Sequence, residues 1–431
     1  MVTTQAKRTA TIAPLQEQAA VQRDTAPVPR KTPRLTLDDV FVVDADVHAH
    51  ETPNELTPYT DPPWRKAVEN AARLSRRYLD VPTYAPGGGG PLPGASLPNF
   101  RGAREEIVWT ADQMRRDLDA FSIDAAVIFP DFFLKIAALP NPDYAAALAR
   151  AYHRWIAEKW VHEANDLYGV IVAVHQDPAE AVKEIERWAG HPRLVAVFLP
   201  TCQVYPLWGH PRYFPIFEAA QAANLPVALH SVSGSSWGFP FNVEQFGGSI
   251  SGHTASHVFA MMSNLMSFME NGVPVRFPSL RILFCEAGLT WVPFLRLRLD
   301  KEFTENRRSW PYYDDLPSRW IDKMYFATQP IEEPQRGQDL VDLIRVYNGE
   351  STTVFASDWP HHDFDHPKVA FQLPISDDAR RKLMGTNALT LFPKITVPAR
   401  YRTATARAAT TEKTGNIPGD GTAGAATAVG G

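Results

Sequence analysis

Short apolar runs recur along the chain at Phe41–Val47, Ala125–Phe129, Tyr168–Val174, Leu194–Leu199, Pro226–His230, Arg281–Cys285, Met324–Ala327 and Thr353–Ala356. Between them lie stretches with helical spacing, among them Ala111–Ala120, Pro142–Lys159, Pro178–Ala189, Tyr213–Ala223 and Thr254–Asn271. Strands that are apolar throughout belong to sheets covered on both faces, and their alternation with amphipathic helices predicts parallel pairing. Eight such units predict a TIM-type (β/α)8 barrel, with an open doubly wound sheet as the alternative. No run is followed by a glycine fingerprint for dinucleotides. Gly87–Gly90 lies among prolines with no strand before it and reads as loop.

The segment from Glu51 to about Asp119 is too long for an ordinary strand-to-helix connection. Its aromatic residues (Tyr59, Trp64, Tyr78, Tyr84, Phe100, Trp109) predict an insertion that covers the barrel mouth. Residues 1–35 and 401–431 lack periodicity and are rich in Ala, Thr, Gly, Pro and charge, so both are expected to be disordered tails around a folded unit of residues 36–400.

Charge sharpens that division. The net charge is −5, yet residues 1–35 carry +4 and residues 396–431 carry +2, which leaves −11 on the intervening chain. An acidic body argues against nucleic acid as a partner. Only Cys202 and Cys285 are cysteines, so a disulfide scaffold and a thiolate metal site are both disfavoured, as in a reducing cytoplasm. No apolar run approaches the roughly 20 residues of a membrane span, and the N-terminus lacks the apolar core of a signal peptide.

Chemistry in a barrel collects where strands end. The first run ends in Asp46, His48 and His50, the third in His175, the fifth in His230, the sixth in Glu286 and the eighth in Asp358. Alternate residues of a strand share a face, so His48 and His50 are expected to project together as half of a metal site. A chance His-x-His is the plain alternative. An imidazole and a carboxylate at the tips of buried strands need partners, and one cation would satisfy both. Alternatively His230 bonds a loop carbonyl and Asp358 caps the next segment.

These motifs resemble the amidohydrolase superfamily, in the amidohydrolase-related branch that includes aminocarboxymuconate-semialdehyde decarboxylase-like proteins. The resemblance rests on DADVHAHE (Asp44–Glu51), ALH (Ala228–His230), the run Gly272–Asp300, ASDWPHHDFDHP (Ala356–Pro367) and GTNALTLF (Gly385–Phe392). It covers nearly all of residues 40–393 and neither tail. It implies a distorted eight-stranded barrel and one divalent ion on His48, His50, His230 and Asp358. In one departure, Glu286 stands where the well-studied decarboxylases of the branch carry a histidine. The strand-one motif also resembles a variant with a glutamate at the position of Glu51, which leaves open whether His50 or Glu51 completes the pair.

Imidazoles with a carboxylate suit Zn2+, Mn2+ or Fe2+, which would activate water and polarise a substrate oxygen. Asp46 is expected to hold an imidazole tautomer or to serve as a buried structural acid. Asp358 and Glu286 are the candidate acid/base residues; for Glu286 the alternative is an ion pair with Arg296 or Arg298. His253 and His257 share a helix face at i and i+4, and His253 is the third catalytic candidate. His361 and His362 line the same mouth or structure a turn, and His175 stays unassigned. His153, His162, His191, His210 and His366 read as surface or helix residues.

Trp237, Phe239, Phe241 and Phe246 follow His230 in a glycine-rich loop and suit a small aromatic or enolic acid. The leading expectation is metal-dependent hydrolysis of such an acid in a cytoplasmic homodimer. The alternative is non-oxidative decarboxylation.

Overall fold

The computed structural model describes residues 35–73, 110–162, 164–231, 249–361, 363–398 and Tyr401. The backbone divides into Met1–Leu35 and Thr36–Gly431, and the barrel belongs to the second unit.

Eight parallel strands follow one another in sequence order: β1 (Val43–Ala49), β2 (Ala125–Pro130), β3 (Leu167–Val172), β4 (Leu194–Pro200), β5 (Val227–His230), β6 (Ile282–Cys285), β7 (Tyr325–Ala327) and β8 (Thr353–Val354). This is the predicted TIM barrel. Every strand residue is buried, as runs without polar alternation require.

The helices start where local chemistry sets them. The Asn141 side chain accepts the Tyr144 N–H at 3.0 Å ahead of helix Pro142–Lys159. Asp177 Oδ1 accepts the Ala179 and Glu180 N–H groups, each at 3.1 Å, ahead of helix Pro178–Trp188. In both, proline takes the first helical position, where its missing N–H costs nothing.

β8 is too short to close the barrel alone, so the chain just after it does the rest. The Ala45 N–H donates to Phe355 O (2.9 Å), the Asp358 N–H to Asp46 O (2.9 Å) and the His48 N–H to Trp359 O (2.7 Å). The β1–β2 pairing shifts register between Asp44 and Val47, the irregularity that re-aims side chains at barrel rims. The closing seam therefore carries Asp46, His48 and Asp358 side by side.

The first part of the expected insertion forms helices Pro53–Leu56 and Arg65–Arg73. It packs on helix Pro142–Lys159: Trp64 lies 5.0 Å from the Tyr144 ring, and Arg154 grips Asp61 with two bonds of 2.9 and 2.8 Å. Residues 74–109, with Tyr78, Tyr84, Phe100 and Trp109, lie outside the described residues. At the other end of the chain, the Lys394 ammonium donates to the carbonyls of Ala189, His191 and Leu194 at 2.7, 3.0 and 2.8 Å.

Candidate metal centre

The strand tips converge on buried imidazoles and carboxylates. His48 Nδ1 lies 3.1 Å from Pro130 O, and His230 Nδ1 lies 2.7 Å from Ser231 O. A carbonyl can only accept, so each Nδ1 carries a proton, and each Nε2 is left to meet a carboxylate through a second proton or a cation. Those Nε2 atoms face carboxylates: His48 meets Asp46 Oδ1 at 3.3 Å and Asp358 Oδ1 at 3.0 Å, and His230 meets Asp46 Oδ2 at 2.9 Å. An Nε2 atom and a carboxylate oxygen at these distances repel unless a proton or a metal cation lies between them. Both imidazoles and both carboxylates are fully buried.

The electrostatics state the same need. Burial opposes charge on His48, yet hydrogen bonds to Asp358 and Asp46 and the Asp46 charge raise its pKa to about 10. Burial likewise opposes ionisation of Asp46, and His230 and His48 outweigh it, so its pKa falls below the ordinary carboxylate value. Among the described residues, the ion pairs of Asp46, Asp358, Asp131 and Glu286 are all to imidazoles, with no lysine or arginine. Two groupings have the reach to hold a cation: Asp46, His48 and His230, and His48, Asp358 and His361. The donor set fits a divalent ion of borderline hardness.

The structure does not bring His50 into either group. β1 ends at Ala49, so strand alternation no longer aims the next side chain, and His50 Nε2 lies 3.1 Å from Asp131 Oδ2. Glu51 is not there either; its carboxylate accepts the Asp131 and Phe133 N–H groups at 3.1 and 2.7 Å. The second strand-one member of the cluster is Asp46. The carbonyls of Pro130 and Ser231 hold the Nδ1 side of the two imidazoles, and Asp46 faces the Nε2 side of both.

Asp131 was missed in the sequence, although it follows β2 directly and the strand-tip rule applied there would have found it. His361 Nδ1 lies 2.7 Å from Asp358 Oδ1, its Nε2 lies 3.3 Å from Asp131 Oδ1, and its ring stacks on His48 at 4.3 Å. His362 and the aromatic loop with Trp237, Phe239, Phe241 and Phe246 lie outside the described residues.

Glu286 sits at the tip of β6 with left-handed backbone (φ 56°), as does Asp358 beyond β8 (φ 63°). Such strain in non-glycine residues gathers at functional sites. Glu286 Oε2 lies 3.4 Å from His230 Nδ1 and 3.3 Å from His257 Nδ1. Burial and the Asp358 charge push the Glu286 pKa well above its ordinary range, while burial lowers His257 to about 4. Burial thus disfavours charge on both partners of this pair. The arginines expected as alternative partners of Glu286 are engaged elsewhere, Arg296 with Asp322 (2.6 Å) and Arg298 with Glu302 (2.5 Å). His253 Nε2 lies 3.5 Å from Asp363 Oδ2, one helical turn from His257.

Below the cluster the barrel is apolar: the Phe129 and Phe198 rings lie 5.0 and 6.2 Å from that of His230. A cleft of about 550 Å³ lined by Asp38, Asp39, Asp119, Asp124 and Tyr401 opens at the other end, where strands begin. Among the described residues, no imidazole lines it. Of the remaining histidines, His153 is fully buried in helix Pro142–Lys159, not at the surface.

A family model described as Amidohydrolase matches residues 45–394, from the first strand past the last. The chain belongs to the amidohydrolase family. Gamma-resorcylate decarboxylases are among its relatives: that of Polaromonas sp. is 23% identical over 300 residues, covering 67% of this chain and 89% of the relative. That of Rhodococcus jostii is 26% identical over 278 residues, covering 60% of this chain and 80% of the relative. A 5-carboxyvanillate decarboxylase from Novosphingobium aromaticivorans, solved with manganese and a nitrobenzoic acid, has the same fold (TM-score 0.63, 18% identity, covering 83% of this chain and 97% of that one). So has a dihydroxybenzoic acid decarboxylase from Polaromonas sp. with manganese and 2-nitroresorcinol (TM-score 0.59, 18% identity, covering 83% and 98%). Among the described residues of this amidohydrolase, no helix is long and apolar enough to cross a membrane.

Proposed function

We propose that this amidohydrolase is a metal-dependent carboxy-lyase that removes CO2 from a small hydroxylated aromatic acid. The observation that carries the reading is the place of Glu286, a buried carboxyl at the tip of β6 whose Oε2 lies 3.4 Å from His230 Nδ1, where burial raises its pKa. The decarboxylase relatives support it over the hydrolysis expected from the sequence. Asp46, His48, His230 and Asp358 would hold the ion, with Mn2+ the first choice because two solved neighbours contain it. Bound there, a divalent ion supplies a Lewis acid that polarises the substrate's oxygens.

The chain's own residues supply the proton. Decarboxylation replaces a carbon–carbon bond with a carbon–hydrogen bond, so one proton must reach the ring carbon that bears the carboxylate. Glu286 in its carboxylic acid form delivers that proton. Cleavage then releases CO2 and restores the aromatic ring, leaving Glu286 as carboxylate beside His257 and His230 until water returns the proton. The apolar Phe129 and Phe198 floor lowers the local dielectric, which favours loss of a charged group as neutral CO2.

The test is product analysis with 2,6-dihydroxybenzoate and 5-carboxyvanillate as substrates and the Mn2+-loaded protein. In D2O the organic product should carry one deuterium at the vacated ring carbon and release one CO2. In H2(18)O, labelled oxygen in the organic product would instead establish hydrolysis and reject the carboxy-lyase reading.

A further inference from the structure

Asp358 is held from both sides. Gln329 Nε2 donates to Oδ2 at 3.3 Å, and His361 Nδ1 approaches Oδ1 at 2.7 Å. The far side of the His361 ring is held as well, because Nε2 lies 3.3 Å from Asp131 Oδ1. Asp131 in turn is fixed through its other oxygen by His50 Nε2 (3.1 Å) and through its backbone N–H by Glu51 (3.1 Å). These residues leave the tips of β1, β2 and the chain after β8, so the arrangement ties three strand ends together.

A carboxylate ligand can rotate about its last bond and offer a cation the wrong lone pair. An outer hydrogen bond removes that freedom, and such partners typically contribute about 10–100-fold in metal affinity. A ring with a carboxylate at each nitrogen, stacked on His48, cannot flip without losing both contacts. The geometry points to His361, backed by Asp131, as the positioning residue that sets the orientation of Asp358 toward the cation; the inference rests on the metal reading above. It also accounts for His50, which serves as the outer brace of Asp131.

The experiment measures Mn2+ affinity of the full chain by electron paramagnetic resonance of the free ion, with circular dichroism as the fold control. His361→Ala should bind Mn2+ about 10–100-fold more weakly. His361→Asn, whose amide can donate from nearly the place of Nδ1, should recover affinity to within about threefold of the parent, and Asp131→Ala should lose several-fold. Parent-like affinity in His361→Ala overturns the inference, as does an Asn variant no better than Ala, which would make His361 a ligand itself. If His361→Ala does not fold, Asp131→Ala decides, and unchanged affinity there overturns it. A wild-type protein that takes up no Mn2+, Zn2+ or Fe2+ removes the metal reading itself, a different result from any of these.

Discussion

His230 Nε2 lies 2.9 Å from Asp46 Oδ2, joining the fifth strand of the barrel to the first across 184 residues of chain. With Nδ1 of His230 given to Ser231 O, this contact turns Nε2 toward an anion inside an apolar barrel, a place for a proton or a cation. Asp46→Asn should therefore lower the divalent metal content of the purified protein by about 10-fold or more, whereas His50→Asn should change it far less. Elemental analysis of the two variants checks this. Equal losses would return His50 to the ligand set.

Glu286→Gln keeps the shape of the side chain and removes its transferable proton. Its kcat should fall about 10²–10⁴-fold, the usual contribution of a positioned acid, with metal content unchanged. Loss of metal together with activity would assign Glu286 to coordination rather than to proton transfer.

His153 offers a pH prediction away from the metal cluster. Its Nδ1 lies 2.8 Å from Glu184 Oε2, and the Val172 N–H donates to its Nε2 at 2.8 Å. Burial, against the pull of Glu184, lowers its pKa from the ordinary 6.5, so the folded chain keeps it neutral where the unfolded chain takes up a proton. Its contribution to stability is complete above about pH 6.5 and is lost progressively as pH falls below that value. Urea midpoints measured from pH 7.5 to 5 should drop more steeply for the wild type than for His153→Gln. Parallel curves would count against the assignment.

Gly385 opens the GTNALTLF motif, and a Cβ there would lie 2.0 Å from Phe41 O. Backbone cannot yield as a side-chain end can. Gly385→Ala should destabilise the barrel by about 3 kcal/mol, near the upper end for overpacking. Thermal melting checks it, and a wild-type midpoint would show that the seam beside β1 can open.

Much of this architecture was legible in one dimension. Apolar runs of strand length, separated by helical spacing and capped by residues such as Asn141 and Asp177, specify local structure through contacts a few residues apart. The order of the eight strands follows because each unit pairs with the next. His48, His230, Glu286 and Asp358 could be singled out because a polar group ending a buried strand needs a partner.

The identity of those partners was a three-dimensional matter. Alternation along β1 treats Asp46, His48 and His50 alike, and only the end of the strand at Ala49 and the hydrogen bonds of the closing seam separate them. Asp131 and His361 meet across 230 residues, a distance over which local periodicity carries no information. Sequence by itself determined which elements form and in what order, because those are short-range preferences. The tertiary structure decided which side chains share one buried charge, because that depends on where the barrel closes.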